Sequence, residues 1–174
     1  LICPTRCKLS EGKQGVCLGR INEAGKMIVT NYGEAVSLHV DPIEKKPLYH
    51  FMPGNLILSI GPNGCTFSCD NCQNWSISQT SPRIPRNYDL MPKALVDEAY
   101  KSKCKSIAYT YSEPITFYEY TYDSSKLARE KGIKNVMVTA GYINEKPLRE
   151  LARYIDAANV DLKSFKDSIY FKLN

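Results

Sequence analysis

The stretch NLILSIGPNGCTFSCDNCQNW, residues 55–75, decides the fold. It begins as a short apolar strand and continues into a glycine-containing loop that carries Cys65, Cys69 and Cys72 in the spacing C-x3-C-x2-C. Structural zinc sites usually take four ligands from two knuckles, and ferredoxin-type runs use x2 spacings with a fourth cysteine. Three thiols on one loop instead suit three corners of a [4Fe–4S] cube. The spacing therefore predicts a cluster with one iron left without a protein ligand.

Strand and helix patterns alternate after this loop. The predicted segments, in order, are the helix PKALVDEAYKSKC, the strand KSIAYTYSE, a helix that Pro114 opens, the strand IKNVMVTAG, the helix NEKPLRELARYI and the strand AANVDLK. Such alternation with short links indicates a parallel sheet built from right-handed βαβ units. A closed eight-fold barrel needs about 250 residues. The 174 residues therefore predict a small open sheet or the front part of a barrel.

The chain before this series has a different character. Residues 1–54 are predicted to form a small cysteine-containing module with a hairpin within 27–40 and an extended connector, and residues 55–174 to form the main domain. Absence of an initiator methionine suggests that upstream residues are missing. No stretch has the length and hydrophobicity of a membrane span or a secretory signal.

Composition narrows the class of protein. Apolar residues make up 43% and charged residues 24%, as in ordinary globular proteins. The net charge of +5 is dispersed, and its densest run, Glu44 to Lys46, is predicted to be a solvated face, so nucleic-acid binding is not indicated. Six of the seven cysteines fall in two clusters of three, which favours metal binding in a reducing compartment, the cytoplasm.

Several motifs resemble those of the radical SAM superfamily. They are C-x3-C-x2-C directly after the first strand, and CQNW, YTYSEP and VDLK on successive strand ends. The last three resemble glycyl-radical-enzyme activases such as pyruvate formate-lyase activating enzyme, and HVDPIEKKPLYHFMPG is most similar to the radical SAM enzymes of the AmmeMemoRadiSam system. The resemblance implies an α/β fold, a partial (βα)6 barrel with about four βα units present and its C-terminal part missing.

The resemblance also implies a reaction. Cys65, Cys69 and Cys72 would bind a [4Fe–4S] cluster, and the amino and carboxylate groups of S-adenosylmethionine (SAM) would chelate its open iron. An electron donor such as ferredoxin or flavodoxin would drive reductive cleavage to a 5′-deoxyadenosyl radical, which abstracts a hydrogen atom. The substrate is not recognisable, and a glycyl radical on a protein is one product. A non-enzymatic electron-transfer or zinc module, and an RNA-modifying enzyme, are the alternatives.

Further SAM-binding residues follow from the resemblance, with none assigned as catalytic. Glu113 would bind the methionine amino group, with Ser112 as a second acceptor. Thr139 would line the pocket, and Asp161 and Lys163 would lie beside the ribose and carboxylate. Asn71 takes the place of an aromatic residue near the adenine, with Phe67 or Trp75 as the aromatic residue that compensates. The structural alternatives are a helix-capping carboxylate for Glu113, a strand-to-helix turn at Thr139 and a salt bridge between Asp161 and Lys163.

The other cysteines carry weaker patterns. Cys3, Cys7 and Cys17 have spacings of x3 and x9 and are a candidate second site for zinc or an accessory cluster, with His39, His50 or an upstream cysteine as a further ligand. Unliganded packing of these three thiols is the alternative. Cys104 lies on the apolar stripe of a predicted helix and is predicted to be a core thiol.

Overall fold

The computed structural model describes residues 1–82 and 88–173. The strands are β1 (Arg20–Glu23), β2 (Lys26–Val29), β3 (Glu34–Ala35), β4 (Ser37–Pro42), β5 (Leu56–Gly61), β6 (Tyr88–Asp89), β7 (Ser106–Tyr109), β8 (Lys134–Thr139) and β9 (Ala157–Val160). The α-helices are α1 (Trp75–Ser78), α2 (Pro92–Lys101), α3 (Tyr118–Glu130), α4 (Glu145–Leu151) and α5 (Asp167–Leu173), and 3-10 turns cover Ile43–Lys45 and Pro114–Phe117.

The central sheet has five strands in the order β4-β5-β7-β8-β9. The pairs β5–β7, β7–β8 and β8–β9 are parallel, whereas β4 pairs antiparallel with β5. The helices α2, α3 and α4 connect the successive parallel strands, since a parallel pair needs a crossover connection. This arrangement confirms the predicted α/β series of four parallel strands.

Side chains alternate between two faces of this sheet because successive residues of a strand point in opposite directions. On one face, Leu58, Ile60 and Ile107 pack against buried residues of α2 and α3. On the other face, Ile57, Ala108 and Val136 form a separate cluster with Ile43 and the partly buried Leu48, Phe51 and Met52 of the connector. The connector therefore covers the second face of the sheet.

The hairpin lies earlier than the sequence predicted. Strands β1 and β2 pair around Ala24 and Gly25, which have φ angles of 52° and 74°, the backbone conformation of a two-residue hairpin turn. The strand Ser37–Pro42, which lies in the predicted hairpin region and runs into the predicted connector, pairs instead with β5. Pro42 is tolerated because it is the last residue of an edge strand, where its missing N–H breaks no ladder.

Candidate functional site

The four parallel strands end at one edge of the sheet, and each predicted site motif follows one of them. Strand β5 leads into the cysteine loop, β7 into Glu113, β8 into Ala140 and Gly141, and β9 into Asp161. The carboxyl edge of a parallel sheet is the usual ligand site of α/β folds. The fold therefore brings the predicted residues to one place.

The cysteine loop is built from tight turns. Cys65, Cys69 and Cys72 are free, half-buried thiols. The Cys72 amide donates to the Cys69 carbonyl at 3.1 Å, and α1 begins three residues later. The loop starts at Gly64, whose φ is +92° and where a Cβ would come within 2.1 Å of the Cys17 carbonyl oxygen. Only glycine allows the chain to pass this close to the N-terminal module.

Cys65 lies in an environment that disfavours its thiolate form. Burial, together with the charges of Glu113, Cys69 and Cys72, raises the pKa of Cys65 to about 12, although an N–H donated by Phe67 acts in the opposite direction. Cys65 is therefore a neutral thiol until a metal displaces its proton, since a coordinated thiol is deprotonated outright. Three neighbouring soft donors on a glycine-containing loop that can bend around a bulky group fit an iron–sulfur cluster.

Binding of a single metal ion requires ligands that converge on one point. Among the residues that the structure describes, no three Cys, His, Asp or Glu side chains are gathered at the separation of ligands around one ion. A cubane cluster binds each thiolate through a different iron, so its ligands lie farther apart.

Glu113 is a buried carboxylate held by three donors. Glu113 is only 2% exposed. Oε1 accepts from the Thr139 hydroxyl at 2.6 Å and the Ile115 amide at 3.1 Å, and Oε2 accepts from the Ala140 amide at 2.8 Å. Burial raises the pKa of Glu113 above its ordinary value, although these donors and Lys163 act in the opposite direction. About four lone-pair positions are available on a carboxylate, so Oε2 keeps capacity for a cation.

Two predicted pocket residues turn out to hold this region in place. The Thr139 hydroxyl, besides donating to Glu113, accepts from the Gly141 amide at 3.0 Å. The Ser112 hydroxyl donates to the Pro62 carbonyl at 2.6 Å and so connects the end of β7 to the start of the cysteine loop. Both hydroxyls therefore have protein partners.

Asp161 and Lys163 form a salt bridge with Nζ and Oδ2 separated by 2.8 Å. Partial burial lowers the pKa of Lys163, but Asp161 and the sulfurs of Cys69 and Cys65 raise it above its ordinary value. Lys163 therefore lies close enough to the cysteine loop for its ammonium group to interact with the sulfurs of the loop when they are ionised. The Lys163 amide also donates to the Tyr170 hydroxyl at 3.0 Å, which joins this strand end to α5.

The predicted adenine contacts lie in different environments. Asn71 is exposed. Phe67, two residues after Cys65, is buried against the rings of Tyr142 and Tyr170, with centroids 5.2 and 6.4 Å away. Trp75 is 68% exposed at the start of α1. Of the three, Trp75 offers the largest free aromatic surface.

The N-terminal cysteines share one cavity. Cys3, Cys7 and Cys17 line a space of about 340 Å³ next to Thr66, the neighbour of Cys65. Burial raises the pKa of Cys17, and the charges of Cys3 and Cys7 raise it further. The described residues that line this cavity do not include the predicted further ligands, His39 and His50.

Cys104 is 4% exposed within the main core, which confirms its prediction as a core thiol, but it follows the end of α2 at Lys101 instead of lying on the helix as predicted.

Sequence reasoning missed a buried charged group beside the site. Lys46, predicted to be solvated, is 2% exposed and pairs with the buried Asp41 at 2.8 Å. Asp41 also accepts from the Tyr111 hydroxyl at 2.6 Å. A signal was present in the sequence, because Asp41, the carboxylate that pairs with Lys46, lies only five residues before it.

Comparison with known proteins identifies the same region. A family model described as the Radical SAM superfamily matches residues 59–174, from within β5 to the end of the chain. An uncharacterized protein of Methanocaldococcus jannaschii is 45% identical over 166 residues, which cover 95% of this chain and 49% of the relative. The chain thus spans about half the length of the curated relative that it matches. Every helix in the described parts of the chain is too short or too polar to span a membrane.

Proposed function

The chain belongs to the radical SAM superfamily, and we propose that its protein is an enzyme that reductively cleaves SAM and abstracts a hydrogen atom from a substrate. Membership in this superfamily implies a [4Fe–4S] cluster and SAM. The observation that carries the proposal is the C-x3-C-x2-C loop at the carboxyl end of β5, with the buried Glu113 at the end of the neighbouring strand.

In this proposal Cys65, Cys69 and Cys72 hold the cluster and leave one iron open for the amino and carboxylate groups of SAM. When bound, the reduced cluster supplies the electron that breaks a carbon–sulfur bond of SAM and yields methionine and a 5′-deoxyadenosyl radical. The chain's own contribution is to bind and orient the cofactor and to exclude water. The half-buried loop and its short turns serve both purposes.

Glu113 is proposed to accept a hydrogen bond from an N–H of the SAM amino group, which keeps N–H donors when it coordinates iron. A charge-assisted bond of this kind is roughly twice as strong as a neutral one, and it would stabilise the ionised form that burial otherwise disfavours. Thr139 and Ser112 support Glu113 through the contacts described above. Asp161 and Lys163 are proposed to face the ribose and the carboxylate of SAM, and Asn71 the adenine.

The proposal for the substrate rests on the resemblance of the motifs to those of glycyl-radical-enzyme activases. The strand-end motifs support a glycyl radical on a protein as one product, and the electron donor is proposed to be a ferredoxin or flavodoxin, as radical SAM enzymes typically need. The cytoplasm is the proposed location, because clustered free thiols persist in a reducing compartment. A non-enzymatic electron carrier or zinc module is the competing proposal.

We also propose Cys3, Cys7 and Cys17 as a second thiolate site, for an accessory cluster in the first place, because the described side chains are not gathered around a single ion such as zinc, the other ligand that the sequence suggested. Their shared cavity supports it, and so do the charges of Cys3 and Cys7, which help to raise the pKa of Cys17. Metal analysis of the protein and of a Cys7→Ser variant tests this proposal. A stoichiometric loss of zinc or iron in the variant is expected, and unchanged metal content would leave these cysteines as packed thiols.

The experiment for the main proposal measures 5′-deoxyadenosine. The full-length protein is reconstituted anaerobically with iron and sulfide and then receives SAM and dithionite. Product is expected from the wild type and from Cys104→Ala, which removes a core thiol outside the loop, but not from Cys69→Ala. An intact cluster without product would favour the electron carrier, and zinc without a cluster would favour the structural module.

A further inference from the structure

Tyr111 has a backbone conformation that is unusual for its residue type. Its φ angle is +69°. The Ser112 amide donates to the Thr110 carbonyl at 3.0 Å, which closes a three-residue turn with Tyr111 at its centre. A γ-turn with positive φ is rare and strained, and such conformations persist only where the surroundings determine them.

The side chain of Tyr111 is held by a buried ion pair. Its hydroxyl donates to Asp41 Oδ2 at 2.6 Å, and the Lys46 Nζ lies 4.5 Å from the ring centroid. Asp41 and Lys46 are 4% and 2% exposed. The exposed ring of His39 meets the Tyr111 ring edge-on, with centroids 5.8 Å apart. Both the hydroxyl and the ring of Tyr111 therefore have fixed partners.

The path of this side chain crosses the end of β5. A Cβ at Gly61 would lie 3.0 Å from the Tyr111 Cβ and 2.8 Å from the Thr110 carbonyl oxygen. Real Cβ contacts are not this short, so glycine at the end of β5 leaves the room that Tyr111 uses to reach Asp41. Gly61 at the end of β5 and the contacts of Tyr111 with Asp41 and Lys46 are thus sterically compatible.

The backbone around Tyr111 connects the two halves of the site. The Asn74 side-chain amide, at the end of the cysteine loop, donates to the Tyr111 carbonyl at 2.7 Å. The next residue, Ser112, donates to the Pro62 carbonyl at the other end of that loop. Glu113 follows directly. The turn at Tyr111 therefore sets where Glu113 lies relative to the cysteines.

We propose that Tyr111 is a positioning residue for SAM binding, held in its turn by Asp41 and Lys46 so that Glu113 keeps its place beside the cluster. The inference rests on the proposed function. It assigns Tyr111 no contact with SAM and no part in electron transfer. Its effect is the alignment of two binding elements, and misplacement of a binding group by about 1 Å is enough to weaken its function severely.

The test compares two tyrosine-to-phenylalanine variants of the reconstituted full-length protein. Tyr111→Phe removes only the hydroxyl that Asp41 accepts. Tyr120→Phe is the matched control, because its buried hydroxyl also donates at 2.6 Å, to the Leu90 carbonyl. Calorimetric titration with SAM gives the dissociation constant, and thermal melting gives the stability of each variant.

Tyr111→Phe is expected to raise the dissociation constant for SAM about tenfold. Tyr120→Phe is expected to lower the melting temperature about as much as Tyr111→Phe does, without changing the SAM affinity. The paramagnetic resonance spectrum of the reduced cluster gives a readout that stability does not move. At a SAM concentration that converts the wild-type spectrum, Tyr111→Phe is expected to retain mostly the SAM-free form.

A Tyr111→Gly variant guards against a folding defect, since glycine adopts the positive φ without strain. It is expected to fold and to bind SAM weakly. Wild-type affinity in either Tyr111 variant, or an equal loss of affinity in Tyr120→Phe, would overturn the inference while leaving the proposed function intact. A wild-type protein that binds no SAM would overturn both.

Discussion

The contact between Thr139 and Glu113 gives the sharpest stability prediction. The two oxygens lie 2.6 Å apart, within the range of a charge-assisted O–H···O⁻ bond, and both residues are buried. A hydrogen bond to a charged group contributes about 1.5–3 kcal/mol. Thr139→Val keeps the shape of the side chain and removes this donor. The Gly141 amide also loses an acceptor, but Gly141 is exposed and water replaces it.

Thr139→Val is therefore expected to lower the free energy of unfolding by about 2 kcal/mol at pH 8, which is about 1 M in the urea midpoint for an m-value of about 2 kcal/mol/M. Thr139→Ser, which keeps the hydroxyl, is the matched control. Urea titrations followed by circular dichroism measure both variants.

The same variant has a definite pH dependence. Burial raises the pKa of Glu113 above its ordinary value of 4.5, so the folded state carries the cost of an ionised carboxylate above the raised pKa and loses that cost as the pH falls toward 4.5. The deficit of Thr139→Val belongs to the ionised form and is expected to shrink over this window. A deficit below about 0.5 kcal/mol at pH 8, or one that does not change with pH, would refute the reasoning.

Two further predictions concern packing and charge. Gly64→Ala is expected to lower the free energy of unfolding by about 3 kcal/mol or more, because its Cβ would come within 2.1 Å of a backbone carbonyl. Gly132→Ala is the control, since Gly132 has a φ of +72° but open space around it, and this change costs about 1 kcal/mol. Thermal melting compares the two variants, and equal losses would contradict the packing argument. Asp41→Asn is expected to destabilise the protein near neutral pH, since the hydrogen bonds from Lys46 and Tyr111 outweigh burial and hold the Asp41 pKa below its ordinary value of 3.8. Its stability deficit should shrink as the pH falls below about 4, and a constant deficit would show that the charge of Asp41 is not the cause.

The sequence predicted the parallel strands because each is a short apolar run between helical patterns. The motifs of the cysteine loop and of Glu113 were placed on successive strand ends, and these ends meet at one edge because the strands are parallel. The superfamily assignment is confirmed by the family match over residues 59–174. Local pattern was sufficient for the strands, whereas the superfamily assignment came from the resemblance of the motifs.

Long-range contacts were beyond the same reasoning. Asp41 and Tyr111 are 70 residues apart, and nothing local in either segment indicates their hydrogen bond. Thr139 was expected in the cofactor pocket, but the structure shows its hydroxyl donating to Glu113 across 26 residues. Lys46 is a different case, since its partner Asp41 is only five residues away; the charge run around Lys46 was given more weight than this nearby carboxylate.

The central claim is that Cys65, Cys69 and Cys72 hold a cluster whose open iron binds SAM. The most direct measurement is the paramagnetic resonance spectrum of the reduced protein, recorded with and without SAM labelled with ¹⁵N at its amino group. We expect SAM to change the spectrum and the label to show a hyperfine coupling with the cluster. An intact cluster whose spectrum SAM leaves unchanged, without nitrogen coupling, would contradict the claim.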